Sequence, residues 1–273
     1  MVIDFHTHAF PEKIAAKTIA LLAEKSDAVP RTDGTVEGLL SQLKGCDADI
    51  GIALPVVTNP NQFDSINRFA ASVNERFSQS VPAIISFGGI HPACEDIEGK
   101  MRFLKENGFL GVKIHPDYQN TFINDEGYLR ILSCAKELDM IVVTHAGVDD
   151  GYKGLPVRCP PRLVLEVIEK VGHPKFVLAH FGGNRFVTEV YETLAGQDVY
   201  FDTSFVLQDV GEENFKKIIN KHGADKILFA TDCPWRDIGE EIARVRSYGL
   251  TKETEEKIFW RNASELLGLQ EKL

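Results

Sequence analysis

Short runs rich in β-branched and aromatic residues recur along the chain, separated by longer stretches whose apolar positions repeat at helical spacing. The runs are "VIDFH" (2–6), "DIGIALPVV" (49–57), "PAIISFGGI" (82–90), "FLGVKIH" (109–115), "MIVVTHA" (140–146), "KFVLAHF" (175–181), "DVYFDTS" (198–204) and "KILFATD" (226–232), eight candidate strands in all. Helical periodicity marks 63–77, 128–138, 161–171 and 215–219, with Asp125 placed as an N-cap and Gly172 as a stop. Alternation of strand and helix repeated eight times, with strands apolar enough to be buried, predicts a parallel sheet closed into a (β/α)8 TIM barrel as a single domain, 1–273. An open doubly wound sheet is the alternative architecture. No G-x-G-x-x-G follows the first strand, so its dinucleotide-binding form is not indicated. Residues 12–46 hold two helices before strand two, the first read as an N-terminal insertion over the barrel mouth, and 251–269 reads as one or two C-terminal closing helices.

Composition adds limits. The 273 residues are 44% hydrophobic and 26% charged, enough for a full core. The net charge of -10 argues against a nucleic-acid partner and suits an enzyme of small molecules. Five scattered cysteines, without a C-x-x-C pair, do not read as a disulfide framework. No apolar run approaches the roughly 18 residues of a membrane helix. The expectation is a cytoplasmic enzyme with a small-molecule substrate, no membrane partner, and a homodimer as the protein partner to consider.

In a closed barrel, chemistry gathers at the C-terminal ends of the strands. Six of the eight histidines fall there: His6, His8, His91, His115, His145 and His180; His173 and His222 fall at the opposite face. His6 and His8, two residues apart in a strand, face the same way. A zinc-like ion takes three or four nitrogen and oxygen ligands with one position open, and His6, His8, His145 and Asp232 supply such a set. One divalent ion is expected, zinc or else manganese. Such an ion lowers the pKa of bound water to about 7 and polarises a carbonyl. His180, one strand from His145, can move protons near neutral pH.

These motifs resemble the amidohydrolase superfamily, and within it the branch that includes aminocarboxymuconate semialdehyde decarboxylase, aromatic-acid decarboxylases and lactone hydrolases. "IDFHTH" is similar to the family's first-strand motif, "THAG" and "LAHFGG" to its fifth and sixth strands, "FATDCPW" to its eighth, and "RNASELLGL" to the branch's closing helix. The resemblance implies that His6, His8, His145 and Asp232 are metal ligands and that His180 is the catalytic acid/base, with Asp232 sharing the proton traffic. In two-metal relatives a strand-four carbamylated lysine or glutamate bridges the ions, and Lys113 stands at that strand. The branch is mostly mononuclear, so Lys113 is read as an ammonium, with a bridging carbamate as the alternative.

Lys113, His115 and Arg158 are candidate substrate contacts; Arg158 could clamp a carboxylate in bidentate fashion, or be a solvated surface residue. His91 and His115 could equally serve as backbone-bonded strand-end histidines. Asp4, inward by parity with His6, reads as a partner to a ligand. The leading reading is a metal-dependent hydrolase of a small amide, ester or lactone. The alternatives are non-oxidative decarboxylation of a small aromatic or enoic acid at the same site, and a non-catalytic binding protein on the same barrel.

Overall fold

The structure, a computed structural model, describes residues 1–173 and 175–269. Nine strand segments appear: β1 Ile3–Thr7, β2 Ile50–Ala53, β3 Ala83–Ser86, β4 Gly88–Gly89, β5 Gly111–Ile114, β6 Ile141–Thr144, β7 Phe176–Leu178, β8 Tyr200–Asp202 and β9 Ile227–Leu228. All pair in parallel, β1 to β3 in one sheet and β4 to β9 in a second, each in chain order.

Two seams join these sheets into one ring. At the first, β3 and β4 are the same strand interrupted at Phe87, whose N–H donates to the Ala53 carbonyl at 2.9 Å. Two asparagines of α3 (Phe63–Phe77) serve the interrupted backbone: Asn74 bonds both Ser86 N and Ser86 O, and Asn67 does the same for Gly89. At the second, residues 229–233 run beside β1. Phe5 N donates to Phe229 O at 2.9 Å, Asp232 N to His6 O at 2.8 Å and His8 N to Cys233 O at 2.6 Å. Buried Asp4 reinforces this seam by accepting from Thr231 N (3.0 Å) and Thr231 Oγ (2.6 Å). The nine segments are therefore eight barrel strands, as the alternation predicts.

Strand residues alternate between two apolar clusters, as the two-residue side-chain period requires. Ile3, Phe5, Ile52, Val143, Val177 and Leu228 fill the interior, while Val112, Ile114, Val142, Phe176 and Leu178 face the surrounding helices. Each such fully buried side chain contributes about 1.5–3 kcal/mol. The helices between strands are α2 (Val36–Gly45), α3, α4 (Ile97–Glu106), α5 (Glu126–Glu137), α6 (Pro161–Val171), the short α7 (Val187–Glu189), α8 (Leu207–His222) and α9 (Ile238–Ser247). Asp125 caps α5 through Gly127 N, and Gly172 ends α6 in the left-handed conformation. The helix expected at 215–219 is longer, and a separate helical turn from Leu207 leads into it across a kink at Gly211, whose φ of 70° and ψ of 162° are not helical.

The inserted α1 (Glu12–Ser26) packs against the loop after β6, where Lys25 Nζ lies 3.5 Å from the Tyr152 ring centroid. That loop is at the C-terminal face, so α1 borders the barrel mouth. At the other end α10 (Lys252–Glu256) and α11 (Asn262–Leu267) close the chain, and Ala263, Leu266 and Leu267 join the interior cluster.

Candidate metal centre

Three of the four expected ligands come together: the pairing of β1 shifts register between Asp4 and Thr7, and His6, His8 and Asp232 converge while His145 stands apart. His6 is 1% exposed, and its Nδ1 lies 2.8 Å from Asp202 Oδ2 at the end of β8. An ionised carboxylate only accepts, so Nδ1 carries the proton and Nε2 keeps its lone pair. His8 follows β1, and its Nδ1 donates to the Leu54 carbonyl at 2.9 Å, which leaves its Nε2 bare as well. The two Nε2 atoms are 3.2 Å apart, and Asp232 Oδ1 lies 3.0 Å from His8 Nε2 and 3.5 Å from His6 Nε2. Three acceptor atoms thus converge with no proton between them, an arrangement that suits a divalent cation and is unfavourable without positive charge. Each imidazole is oriented by a bond from its outer nitrogen, the usual device at metal sites.

The surrounding charges are consistent. Burial, with Lys113 adding to it, lowers the His6 pKa to about 4 and keeps the ring neutral. Burial alone would raise the Asp202 carboxyl, but the facing His6 holds it well below the carboxylate range. Lys113, 1% exposed, places Nζ 3.2 Å from His6 Nε2, and burial lowers its pKa to about 8.

His180 donates from Nδ1 to the Ser204 carbonyl (3.1 Å), and its Nε2 lies 3.0 Å from His145 Nδ1. His145 does not converge with the first three ligands. It pairs with His180, stacks on His115 (centroids 4.3 Å, 13° between planes) and leaves Nε2 unpartnered, 3.9 Å from the equally unpartnered Asp117 Oδ2. His115, His145 and Asp149 also bring ligand atoms within 4.8 Å of one another. Near-parallel stacked rings hold their in-plane lone pairs in two separated planes, however, so one ion cannot lie in line with both. His115 Nδ1 accepts from Tyr118 N, which puts its proton on Nε2, facing Asp149 Oδ2 at 3.4 Å.

The other candidates fall out as follows. Arg158 is not free to clamp a substrate: Nη1 faces Asp117 Oδ1 at 3.4 Å and Nη2 bonds Asn120. His91 takes the backbone role, accepting from Ala93 N at 3.0 Å. Asp4 accepts from the His6 backbone N–H instead of its ring, so it ties strands together and orients no ligand nitrogen. Sequence reasoning passed over Asp202 and Ser204, though "FDTS" at a strand end carried the signal, and over Asp117 and Asp149 in the loops. Backbone strain gathers here too: His180, Phe181 and Asp232 have φ of 58°, 55° and 68°, conformations that side chains rarely adopt and that cluster at functional sites.

Known proteins share this fold. The 5-carboxyvanillate decarboxylase of Novosphingobium aromaticivorans, whose structure holds manganese and a nitrobenzoic acid, superposes with a TM-score of 0.75 at 15% identity, covering 98% of this chain and 97% of that one. The 2,6-dihydroxybenzoate decarboxylase from Rhizobium gives 0.69 at 15% identity, covering 98% and 99%. An uncharacterized TIM-barrel protein from Bordetella bronchiseptica gives 0.77 at 15%, covering 98% of each. No curated protein aligns significantly with the sequence. The amidohydrolase family profile matches residues 3–269, and the chain belongs to the amidohydrolase family.

Proposed function

We propose that this protein is a metal-dependent, non-oxidative decarboxylase of a small aromatic or enoic acid. Lys113 carries the reading. Decarboxylation needs a cation for the substrate carboxylate beside the metal ligands, and Lys113 is a fully buried ammonium 3.2 Å from His6 Nε2 with no carboxylate within 4.0 Å among the described residues. The decarboxylase neighbours, one with manganese and a benzoic acid bound, support it. His6, His8 and Asp232 would hold the ion, zinc or manganese, with His145 as the further donor. The ion supplies Lewis acidity toward the substrate oxygens. Lys113 orients the carboxylate, the carbon–carbon bond breaks with its electron pair left on the substrate, carbon dioxide departs, and His180, once its ring has taken up a second proton at Nε2, delivers that proton to the carbanion carbon and returns to the neutral ring with Nδ1 still bonded to Ser204. The buried walls exclude water from that step.

Hydrolysis of a small amide, ester or lactone is the second reading, and one observation favours it. With a pKa of about 8, part of Lys113 is neutral amine at pH 7 and can take up carbon dioxide as a carbamate. That would replace the anchor with an anionic ligand.

The test is a panel of aromatic and enoic acids followed by carbon dioxide release, beside a panel of lactones, esters and amides, with carbon-13 NMR of the protein for a carbamate. Decarboxylation faster than any ring opening or hydrolysis, with no carbamate signal, is the expected result. Faster hydrolysis overturns the proposal.

A further inference from the structure

Asp117, in the loop after β5, is 2% exposed, and His145 is 5% exposed. The two atoms that face each other, Asp117 Oδ2 and His145 Nε2, are 3.9 Å apart, and neither has a hydrogen-bond partner. Both are acceptors while His145 donates from Nδ1 to His180, because His180 has already committed its own Nδ1 proton to the Ser204 carbonyl. Two buried acceptors set against each other are costly. Moving the proton of His145 from Nδ1 to Nε2 turns an N–H toward Asp117 Oδ2 and leaves Nδ1 as a bare lone pair 3.0 Å from the bare His180 Nε2, an opposition of acceptors that a cation at Nδ1 resolves. Stacking on His115 fixes the ring plane, so the choice of tautomer decides what His145 presents.

We infer that Asp117 is a positioning residue that selects the Nε2–H tautomer of His145 and so makes Nδ1 its working nitrogen, an inference that rests on His145 being a donor to the ion. Arg158 holds Asp117 through Oδ1 and is itself held by Asn120, so the loop arginine acts on the site through Asp117 and does not touch substrate.

Imidazole nitrogen shifts in nitrogen-15 histidine-labelled protein report the tautomer directly. Zinc-loaded protein is expected to show His145 protonated at Nε2 and bare at Nδ1, and chelated protein the reverse. Asp117→Ala should abolish that preference and weaken zinc binding about 10- to 100-fold, the usual effect of losing such a partner. Asp117→Asn, which keeps an acceptor oxygen, should restore most of it, and Arg158→Ala should weaken zinc binding by a smaller factor. A bare Nε2 in zinc-loaded wild type overturns the inference, as does unchanged zinc affinity in a folded Asp117→Ala protein. If Asp117→Ala does not fold, the wild-type tautomer and Arg158→Ala decide. None of these readouts requires turnover, so they stand or fall apart from the decarboxylase reading.

Discussion

At the scale of single residues, bonds to the outer nitrogens of His6 and His8 leave both Nε2 atoms bare. Asp202 takes the outer proton of His6, and Ser204 Oγ, 3.1 Å from His6 Nδ1 and 3.0 Å from His180 Nδ1, links the two rings. Asp202→Asn would let the amide donate to Nδ1 and drive the proton to Nε2, where it blocks the ion. Zinc affinity measured by chelator competition should fall about 10- to 100-fold. His180→Asn should leave zinc bound and cost turnover about 10²-fold or more, the usual size of a lost proton-transfer group. Loss of zinc in that variant would make His180 a ligand. That His6 and His8 face together was readable from sequence, because residues two apart in a strand share a face whatever the partner strands are. Asp202 was not sought because its strand carries no histidine to draw notice, and Asp117 depends on a loop path that only packing decides.

At the scale of elements, the two histidine-bearing strand ends are locked together by a backbone contact. Gly147, two residues after His145, bridges Asn184 in the loop after β7: Asn184 N donates to Ala146 O and Val148 N donates to Asn184 O, each at 3.0 Å. Gly147 has a φ of 85°, and a Cβ there would lie 2.2 Å from Asn184 N and 2.4 Å from its O. Gly147→Ala must push the backbone apart, at a cost of about 3 kcal/mol. For a chain of this size that lowers the melting temperature by roughly 6–12 °C, and calorimetry would show it. The eight strands and most helices were legible from periodicity, since each buries one repeating face. α8 was visible only in part because Gly211 shifts the register of its apolar positions. The interruption at Phe87 was invisible, because asparagines 67 and 74 that compensate it lie on another element.

At the scale of the whole molecule, the histidines outside the site set a limit on acid tolerance. His222 donates from Nε2 to Val199 O (3.0 Å), accepts from Gly196 N (3.1 Å) and stacks on Phe201, while His173 donates to Met140 O (2.9 Å). Burial lowers both pKa values to about 4. Unfolded histidine titrates near 6.5, so below that pH the unfolded chain binds protons that the folded chain refuses. Stability is full above about pH 6.5 and drains as the pH falls toward 4, by about 3 kcal/mol for each ring. Urea midpoints between pH 7 and 4 should show this slope, reduced in His222→Gln.

The closing seam has a further consequence. It joins strand ends remote in sequence, as the bond from Thr231 to Asp4 across 227 positions shows, and His8 and Asp232 stand on its two sides. An ion held by both would be a removable cross-link between the first and last barrel strands, closing residues 8 to 232 into one loop. Cross-links over long loops remove the most freedom from an unfolded chain in the entropic account. Occupancy of the centre would then add to the stability of the whole barrel, and a chelator would act on it as a reductant acts on a disulfide.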